Sequence, residues 1–309
     1  MGKEPAKIYG LIGYPVKHSL SAVMHNAAFR NLKINAQYQL FEVRPEELED
    51  FLEKEFFNGK ITGLNITIPH KIKAREILEE RYPLDVNENA PGMQRNLYYV
   101  KLSGAVNTAR NLDGKIEYWN TDASGFLKSL EDLSFDLRDK KVLLIGCGGA
   151  GRAIIAGLSW KNLGVKKIYV NDINAEATNC AKGYFSGLAQ YPHLEAKLEF
   201  ITQEDIAKVI QDCALLINAT PIGMKKDDPS PIEGKLIHKN LLVYDLVYNP
   251  PQTKLLNIAR ENGARRSNGL EMLLCQGVDA FELWTRNAAP VRIMRKALEE
   301  GVKRLCSRK

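Results

Sequence analysis

Gly146, Gly148 and Gly151 stand in G-x-G-x-x-G spacing within VLLIGCGGAGRA, between an apolar run and an amphipathic one. In that context the spacing suits a pyrophosphate. Glycines permit the tight turn and a close approach of backbone, and the free N–H groups at a helix N-terminus stabilise negative charge. Gly149 and Ala150 would supply two of those N–H groups. The next apolar run ends in YVNDIN, with Asn171 and Asp172 at its carboxyl end. An acid there can accept hydrogen bonds from the 2′- and 3′-hydroxyls of an adenosine ribose. A 2′-phosphate would instead meet a carboxylate, and no arginine follows closely. The reading is a nicotinamide dinucleotide, NAD favoured over NADP, with NADP still open. Asp172 as a helix N-cap is the alternative, although Asn174 suits that role better.

A second group of polar side chains falls where strands should end. They lie in YPVKHSLSAVMHN, NITIPHK, GAVNTARNLDGKIEYWNTD and GLEMLLCQG. Open α/β sheets bind ligands at the carboxyl ends of their strands. Oxidising a secondary alcohol requires hydride removal from carbon and proton removal from oxygen. Burial weakens the hold of an ammonium on its proton, and a nearby carboxylate strengthens it. A lysine and a carboxylate brought together could hold the proton near working pH and stabilise a developing alkoxide; taken alone, a lysine after a strand such as Lys71 is more often a solvated surface charge, and NTD at 120–122 more often a turn or helix cap.

These positions require elements that deliver them. Strand-like KIYGLIG precedes a helical pattern from Ser21 to Leu32; AQYQLFEV precedes PEELEDFLEKEFF; ITGLNITI precedes HKIKAREILEE. Such alternation predicts a parallel α/β sheet covered by helices. Asn65 and Thr67 alternate to one side of the strand, and Pro69 stops it so that Lys71 heads the next helix. Residues 80–103 break the rhythm and read as a long connection. A second series starts near Lys140: strands KKVLLIG, KKIYVND, KLEFIT, ALLINAT and NLLVYDLVY, helices after Gly149 and Asn174, and a short helix over 252–263. The remainder, from Gly269, reads as helical. The expected organisation is a substrate and catalytic domain over 1–121 plus 270–309 and a Rossmann-type domain over 122–269. The C-terminal helices should pack back on the first domain, leaving a cleft between the two.

The bulk properties exclude other classes. The 309 residues are 45% hydrophobic and 26% charged, as in ordinary globular chains. A net charge of +6 is dispersed, so no nucleic-acid partner is expected. No apolar run reaches bilayer length and no leader pattern precedes the first strand, so the expectation is a cytoplasmic protein without a membrane partner. Five cysteines are odd in number and scattered, which suggests neither a disulfide framework nor a metal site. His18 and His25 read as structural, hydrogen-bonded side chains, and Cys275 as a small apolar group.

Taken in order, these motifs resemble the shikimate dehydrogenases and the quinate/shikimate dehydrogenases. The resemblance rests on G-x-P-x-x-H-S-x-S (Gly13–Ser21), N-x-T-x-P-x-K (Asn65–Lys71), G-A-x-N-T (Gly104–Thr108), NTD (Asn120–Asp122) and the glycine loop. NATPIGM (Asn218–Met224), DLVYNP (Asp245–Pro250) and MLLCQGVDAFELWT (Met272–Thr285) complete it. It implies Lys71 and Asp122 as the catalytic pair, Ser19 and Ser21 on a substrate carboxylate with Tyr248 nearby, and Asn65, Thr67, Asn107, Asp122 and Gln276 on ring hydroxyls. Asn218, Thr220, Pro221, Met224 and Gly269 would border the cofactor. The implied reaction is reversible interconversion of 3-dehydroshikimate and shikimate, a step toward the aromatic amino acids, by a monomer or homodimer. Oxidation of quinate with NAD is the alternative enzyme, and a catalytically silent ligand sensor the alternative of another class. Ser21 leans toward shikimate, whereas Asp172 leans toward oxidation with NAD. The chain departs from the family at Ala22, where proline is usual; at Asp172, where arginine is frequent; at Glu271, a usually small position; and in the length of 80–103.

Overall fold

The computed structural model describes residues 6–84, 95–160, 163–188, 191, 194 and 197–307. The chain divides into two compact units, Met1–Gly125 with Leu273–Lys309, and Phe126–Met272.

In the first unit, strands β1 (Lys7–Gly13), β2 (Ala36–Glu42), β3 (Gly63–Ile66), β4 (Thr108–Leu112) and β5 (Lys115–Trp119) form one sheet in the order β2-β1-β3-β4-β5. β1 lies parallel to both β2 and β3. The parallel α/β reading describes this half of the sheet. β4 and β5 add an antiparallel hairpin that the alternation did not register. One face of the sheet buries Ile12, Leu64 and Ile66 against Leu48, Leu52, Phe56, Ile77 and Leu78. Each such side chain contributes about 1.5–3 kcal/mol on leaving water.

Helix α1 (Ser21–Asn31) ends where Lys33 takes a positive φ of 54°. Ala22 is its second residue, where a proline is readily replaced. The Pro45–Phe57 segment opens as a 3₁₀ turn with Pro45 at its start, continues through α2 (Leu48–Phe51), and widens into a π-helical turn over Leu52–Phe57. α3 (Lys71–Arg81) begins directly at the lysine. The expected connection over 80–103 needs correction. α3 continues to Arg81, and α4 (Arg95–Ser103) is a helix that buries Tyr98, Tyr99, Val100 and Leu102. The paired tyrosines belong to an inward helical face, not to a loop; residues 85–94 lie outside those described. The C-terminal helices, mostly in this unit, pack on α1: a Cβ on Gly277 would meet Met24, and one on Gly301 would meet Leu20.

The second unit carries β6 (Lys141–Ile145), β7 (Lys167–Asn171), β8 (Leu198–Phe200), β9 (Cys213–Asn218), β10 (Leu242–Asp245) and β11 (Arg265–Asn268). The order is β11-β10-β9-β6-β7-β8, every neighbour pair parallel. Counted from the β8 edge this is the doubly wound 3-2-1-4-5-6 arrangement of dinucleotide-binding sheets. The strand order reverses between β6 and β9, and both are followed by loops that the sequence marked. β11, RRSN, was not anticipated: it is a polar edge strand with little hydropathy signal. Among the described residues no helix is long and apolar enough to cross a membrane.

Candidate active site

Lys71 is fixed from several directions. The backbone N–H of Val106 donates to the Lys71 carbonyl at 2.9 Å. The preceding residue, His70, is buried and donates from Nε2 to the Val43 carbonyl at 2.7 Å, tying the start of α3 to the end of β2. Burial lowers the pKa of His70, and its bond to the Val43 carbonyl offsets part of that fall. The ammonium of Lys71 forms a buried ion pair with the Asp122 carboxylate, their side chains 11% and 8% exposed.

Asn107 organises the other side of that carboxylate. Its Nδ2 donates to Asp122 Oδ1 at 2.9 Å and to Thr121 Oγ1 at 3.0 Å, while Gln276 Oε1 lies at 3.5 Å. Its Oδ1 accepts from the Thr121 N–H at 2.7 Å and faces the Thr108 and Thr121 hydroxyls. Both amide hydrogens and both lone pairs of Asn107 thus have partners within the protein. The hairpin explains the convergence. β4 starts opposite the end of β3, with Thr108 paired to Asn65, and β5 returns the chain to Trp119, opposite Thr108. Asn120 then accepts from the Asp122 and Ala123 N–H groups at the start of α5 (Thr121–Asp132).

Asn65 joins the same network. Its Nδ2 donates to the Asn107 carbonyl at 3.2 Å and to Thr108 Oγ1 at 3.1 Å. Its Oδ1 accepts the Tyr38 hydroxyl at 2.7 Å. The structure therefore brings Lys71, Asp122, Asn107, Asn65 and Gln276 into one buried cluster, Gln276 being anchored by donation to the Leu273 carbonyl at 2.8 Å. Ser19 and Ser21 pair with each other, hydroxyl to hydroxyl at 3.1 Å. Thr67 lies just past the end of β3, half-buried. Tyr248 belongs to the other unit, on the half-buried loop after β10. Sequence reasoning did not single out Thr108, Thr121, Tyr38 or His70; Thr108, Thr121 and His70 sit inside quoted motifs, and Tyr38 lies on a strand with no local signal.

His25 corrects an expectation. It is fully buried, yet among the described residues neither ring nitrogen has a hydrogen-bond partner. It stacks on Tyr38, with ring centroids 4.6 Å apart, and lies beside Trp284 at 5.2 Å. Burial lowers its pKa to about 3, so the ring is neutral.

In the second unit each loop glycine has its own reason. Gly146 has φ +97°, and a Cβ there would meet Thr220 at 2.8 Å. A Cβ on Gly151 would lie 2.1 Å from the Gly146 carbonyl oxygen. Gly148 differs: a Cβ there would meet nothing within 4 Å. Its lack of a side chain is not required by the fold, and it leaves open space at the start of α6 (Gly149–Leu158), whose N-terminus no side chain caps. Open space beside uncapped N–H groups fits a pyrophosphate. Asp172 accepts from the Cys147 N–H and the Asn174 N–H, each at 2.9 Å. Asn174 caps α7 (Ala175–Ser186) by accepting from Ala177, so Asp172 is not the cap. Asn171 donates to the Ile201 carbonyl, and its buried Oδ1 has no partner among the described residues. Burial, followed by Asp172, pushes the Cys147 thiol up to about 12, leaving it unreactive. On the loop after β9, Asn218 is buried, Thr220 half-buried, and Pro221 and Met224 exposed. Gly269 is required by approach to the Leu246 carbonyl, which a Cβ would meet at 2.0 Å.

A doubly wound nucleotide-binding sheet and a second unit built round a buried lysine–aspartate pair define a nicotinamide-dependent oxidoreductase of the α/β class. Residues 11–84 match the model of the shikimate dehydrogenase substrate binding domain, and 269–299 that of the shikimate 5′-dehydrogenase C-terminal domain. The shikimate dehydrogenase (NADP(+)) of Methanopyrus kandleri is 40% identical over 299 residues, 96% of each chain. The chain belongs to the shikimate dehydrogenase family. Among solved structures, shikimate dehydrogenase from Aquifex aeolicus matches with TM-score 0.79 at 34% identity, over 96% of this chain and 99% of that one. Shikimate 5-dehydrogenase from Listeria monocytogenes, in complex with shikimate and NAD, matches with TM-score 0.76 at 30% identity over the same shares.

Proposed function

We propose that this chain interconverts 3-dehydroshikimate and shikimate, with Lys71 and Asp122 managing the proton. The observation that carries the reading is the buried Lys71–Asp122 pair, its carboxylate held by Asn107, with Lys71 inside the 11–84 stretch that matches the substrate-binding family model. A bound oxidised nicotinamide would supply the acceptor for the hydride that leaves the ring carbon. As Lys71 passes one of its own protons to the Asp122 carboxylate it takes up the proton of the reacting hydroxyl, so the proton ends on Asp122 and the ammonium charge stabilises the alkoxide as it forms. In the reverse direction the same pair returns the proton to the carbonyl oxygen.

The remaining roles follow the free hydrogen-bonding capacity. Ser19 and Ser21 present adjacent hydroxyls to a carboxylate, aided by Tyr248. Asn65 has spent both amide hydrogens and keeps one acceptor lone pair, which suits a ring hydroxyl. Thr67 and Gln276 serve other hydroxyls. Asn107 serves chiefly to orient Asp122. Gly146, Gly148, Gly149, Ala150 and Gly151 cradle the pyrophosphate; Asn171, Asp172, Asn218, Thr220, Pro221, Met224 and Gly269 border the rest of the nucleotide.

NAD is the favoured nucleotide. Asp172 stands where a 2′-phosphate would place like charge, and two like unit charges 4 Å apart near a surface repel by about 4 kcal/mol. That choice also supports a second reading, NAD-linked oxidation of quinate. Initial rates with shikimate and quinate, each with NAD and NADP, test the whole assignment. Shikimate with NAD should be fastest. Absence of turnover in all combinations would remove the enzyme assignment, and faster turnover with NADP would remove the reading of Asp172.

A further inference from the structure

Asp245 is a buried acid for which the reaction has no use. It ends β10, is fully buried, and opens the DLVYNP stretch. Its Oδ1 accepts from Asn218 Nδ2 at 2.9 Å and from the Val247 N–H at 3.1 Å. Its Oδ2 accepts from the Thr253 hydroxyl at 2.6 Å. Thr253 in turn caps α8 (Lys254–Glu261) by accepting from the Leu256 N–H at 3.3 Å. The donors are an amide, a backbone N–H and a hydroxyl, so neutral dipoles hold the carboxylate. Burial raises its pKa while these bonds lower it.

The partners of Asp245 lie on two separate loops. Asn218 organises the loop after β9. Its Oδ1 accepts from the Thr220 N–H and hydroxyl at 3.1 and 2.7 Å, and its other amide hydrogen goes to the Ile222 carbonyl at 3.0 Å. That loop leads to Met224. Val247 immediately precedes Tyr248 on the loop after β10, and the Leu246 N–H donates to the Asn218 carbonyl at 2.9 Å. Gly223, with φ +108°, has no room for a large residue, since a Cβ would meet Thr253 at 3.2 Å. One carboxylate therefore sets the geometry of the Thr220–Met224 loop and of the Tyr248 loop together.

We infer that Asp245 is a positioning residue that ties these loops, so that the Thr220–Met224 border of the cofactor site and the placement of Tyr248, proposed above to aid substrate binding, form or fail as one. The inference rests on the proposed roles of Thr220, Met224 and Tyr248. Asp245→Ala removes every acceptor of the tie. Asp245→Asn keeps an oxygen toward Asn218 and Val247, and its NH₂ can donate to the Thr253 hydroxyl. Thr253→Val removes one arm and serves if Asp245→Ala does not fold.

The test is steady-state kinetics with both substrates varied, together with fluorescence titration of NADH and thermal melting. Asp245→Ala should raise the KM for shikimate and for NAD together, each about tenfold or more, as expected for loss of an outer contact that orients binding groups. Asp245→Asn should restore both to within about twofold of the starting enzyme, a mild loss for a retained hydrogen-bond geometry. Thr253→Val should raise both by a smaller common factor. Tyr248→Phe should raise only the shikimate KM. A lower melting temperature with both KM values unchanged in Asp245→Ala or Thr253→Val would overturn the inference. So would equal losses in the Asn and Ala variants. If the wild-type chain fails to oxidise shikimate, the proposed reaction is lost. Unchanged NADH affinity in Asp245→Ala would sink the tie independently of that outcome.

Discussion

Replacing His25 by phenylalanine should remove a defined part of the acid sensitivity of this protein. In the folded chain His25 stays neutral down to about pH 3, because the ring is buried against Tyr38, Trp284 and Phe281 with no partner for a charged form. In the unfolded chain it takes up a proton near pH 6.5. Between these values the unfolded state binds the extra proton, so stability falls as the pH falls through that window and is fully retained above it. Each pH unit costs about 1.4 kcal/mol, giving about 2 kcal/mol between pH 6.5 and 5 and about 4–5 kcal/mol by pH 3. Against a total domain stability of about 5–15 kcal/mol this is a large share. The neutral ring also carries unsatisfied nitrogens, so the variant at pH 7.5 gains about 1–3 kcal/mol from their removal, set against a comparable overpacking cost. Urea unfolding of both proteins at pH 7.5 and pH 5.0 reads the effect, since contributions from other acids cancel in the difference. The variant should gain about 2 kcal/mol relative to wild type on moving to pH 5.0. A difference between the two proteins that is the same at both pH values, within about 0.5 kcal/mol, would refute the argument.

Lys71→Met should lower kcat by about 10²–10⁴-fold while leaving shikimate binding measurable by titration; it should also cost about 3–5 kcal/mol of stability, because Asp122 is left buried without its cation. Near-normal kcat would take the proton from Lys71. Gly148→Ala and Gly151→Ala should separate ligand space from packing. The first should leave the melting temperature unchanged or raise it slightly, by about 0.4–1 kcal/mol of stability, yet weaken NADH in fluorescence titration. The second should lose about 1–3 kcal/mol to its clash with the Gly146 carbonyl, and a melting temperature unaltered by Gly151→Ala would contradict the packing assigned to it. Asp172→Ala should raise the KM for NAD more than that for NADP; equal changes would reduce Asp172 to a clamp on the glycine loop.

The α/β alternation of both units was legible because their core strands are apolar runs punctuated by glycine, proline and helix starts. The β4–β5 hairpin was not. Its first strand carries Thr108, Arg110 and Asn111, buried polar groups that reach Asn65, the Leu283 carbonyl and the Phe56 carbonyl on other segments, so no hydropathy alternation shows. The sign that was available is the Asp113–Gly114 turn, with φ +52° and +84°, the positive pair that a tight hairpin uses. Lys71, Asp122, Asn107 and Asn65 were readable as motif members. Their mutual order was not, since Asn107 holding Asp122 and Tyr38 holding Asn65 are relations between strands. His25 misled because a histidine in a helix usually finds a hydrogen bond, whereas this one is retained as an aromatic surface.

The hairpin also sets where this chain can change length. Asn107 and Asp122 are bonded to each other and stand at the two open ends of β4 and β5, which run in register from Thr108 opposite Trp119 to Leu112 opposite Lys115. A residue inserted into one strand alone would slide Asp122 away from Asn107 and turn every following side chain to the other face. A residue added at the Asp113–Gly114 turn would lengthen only the far tip and leave both ends in place. Drift in length is therefore confined to one end of the hairpin, and the spacing of the reactive pair is insulated from it.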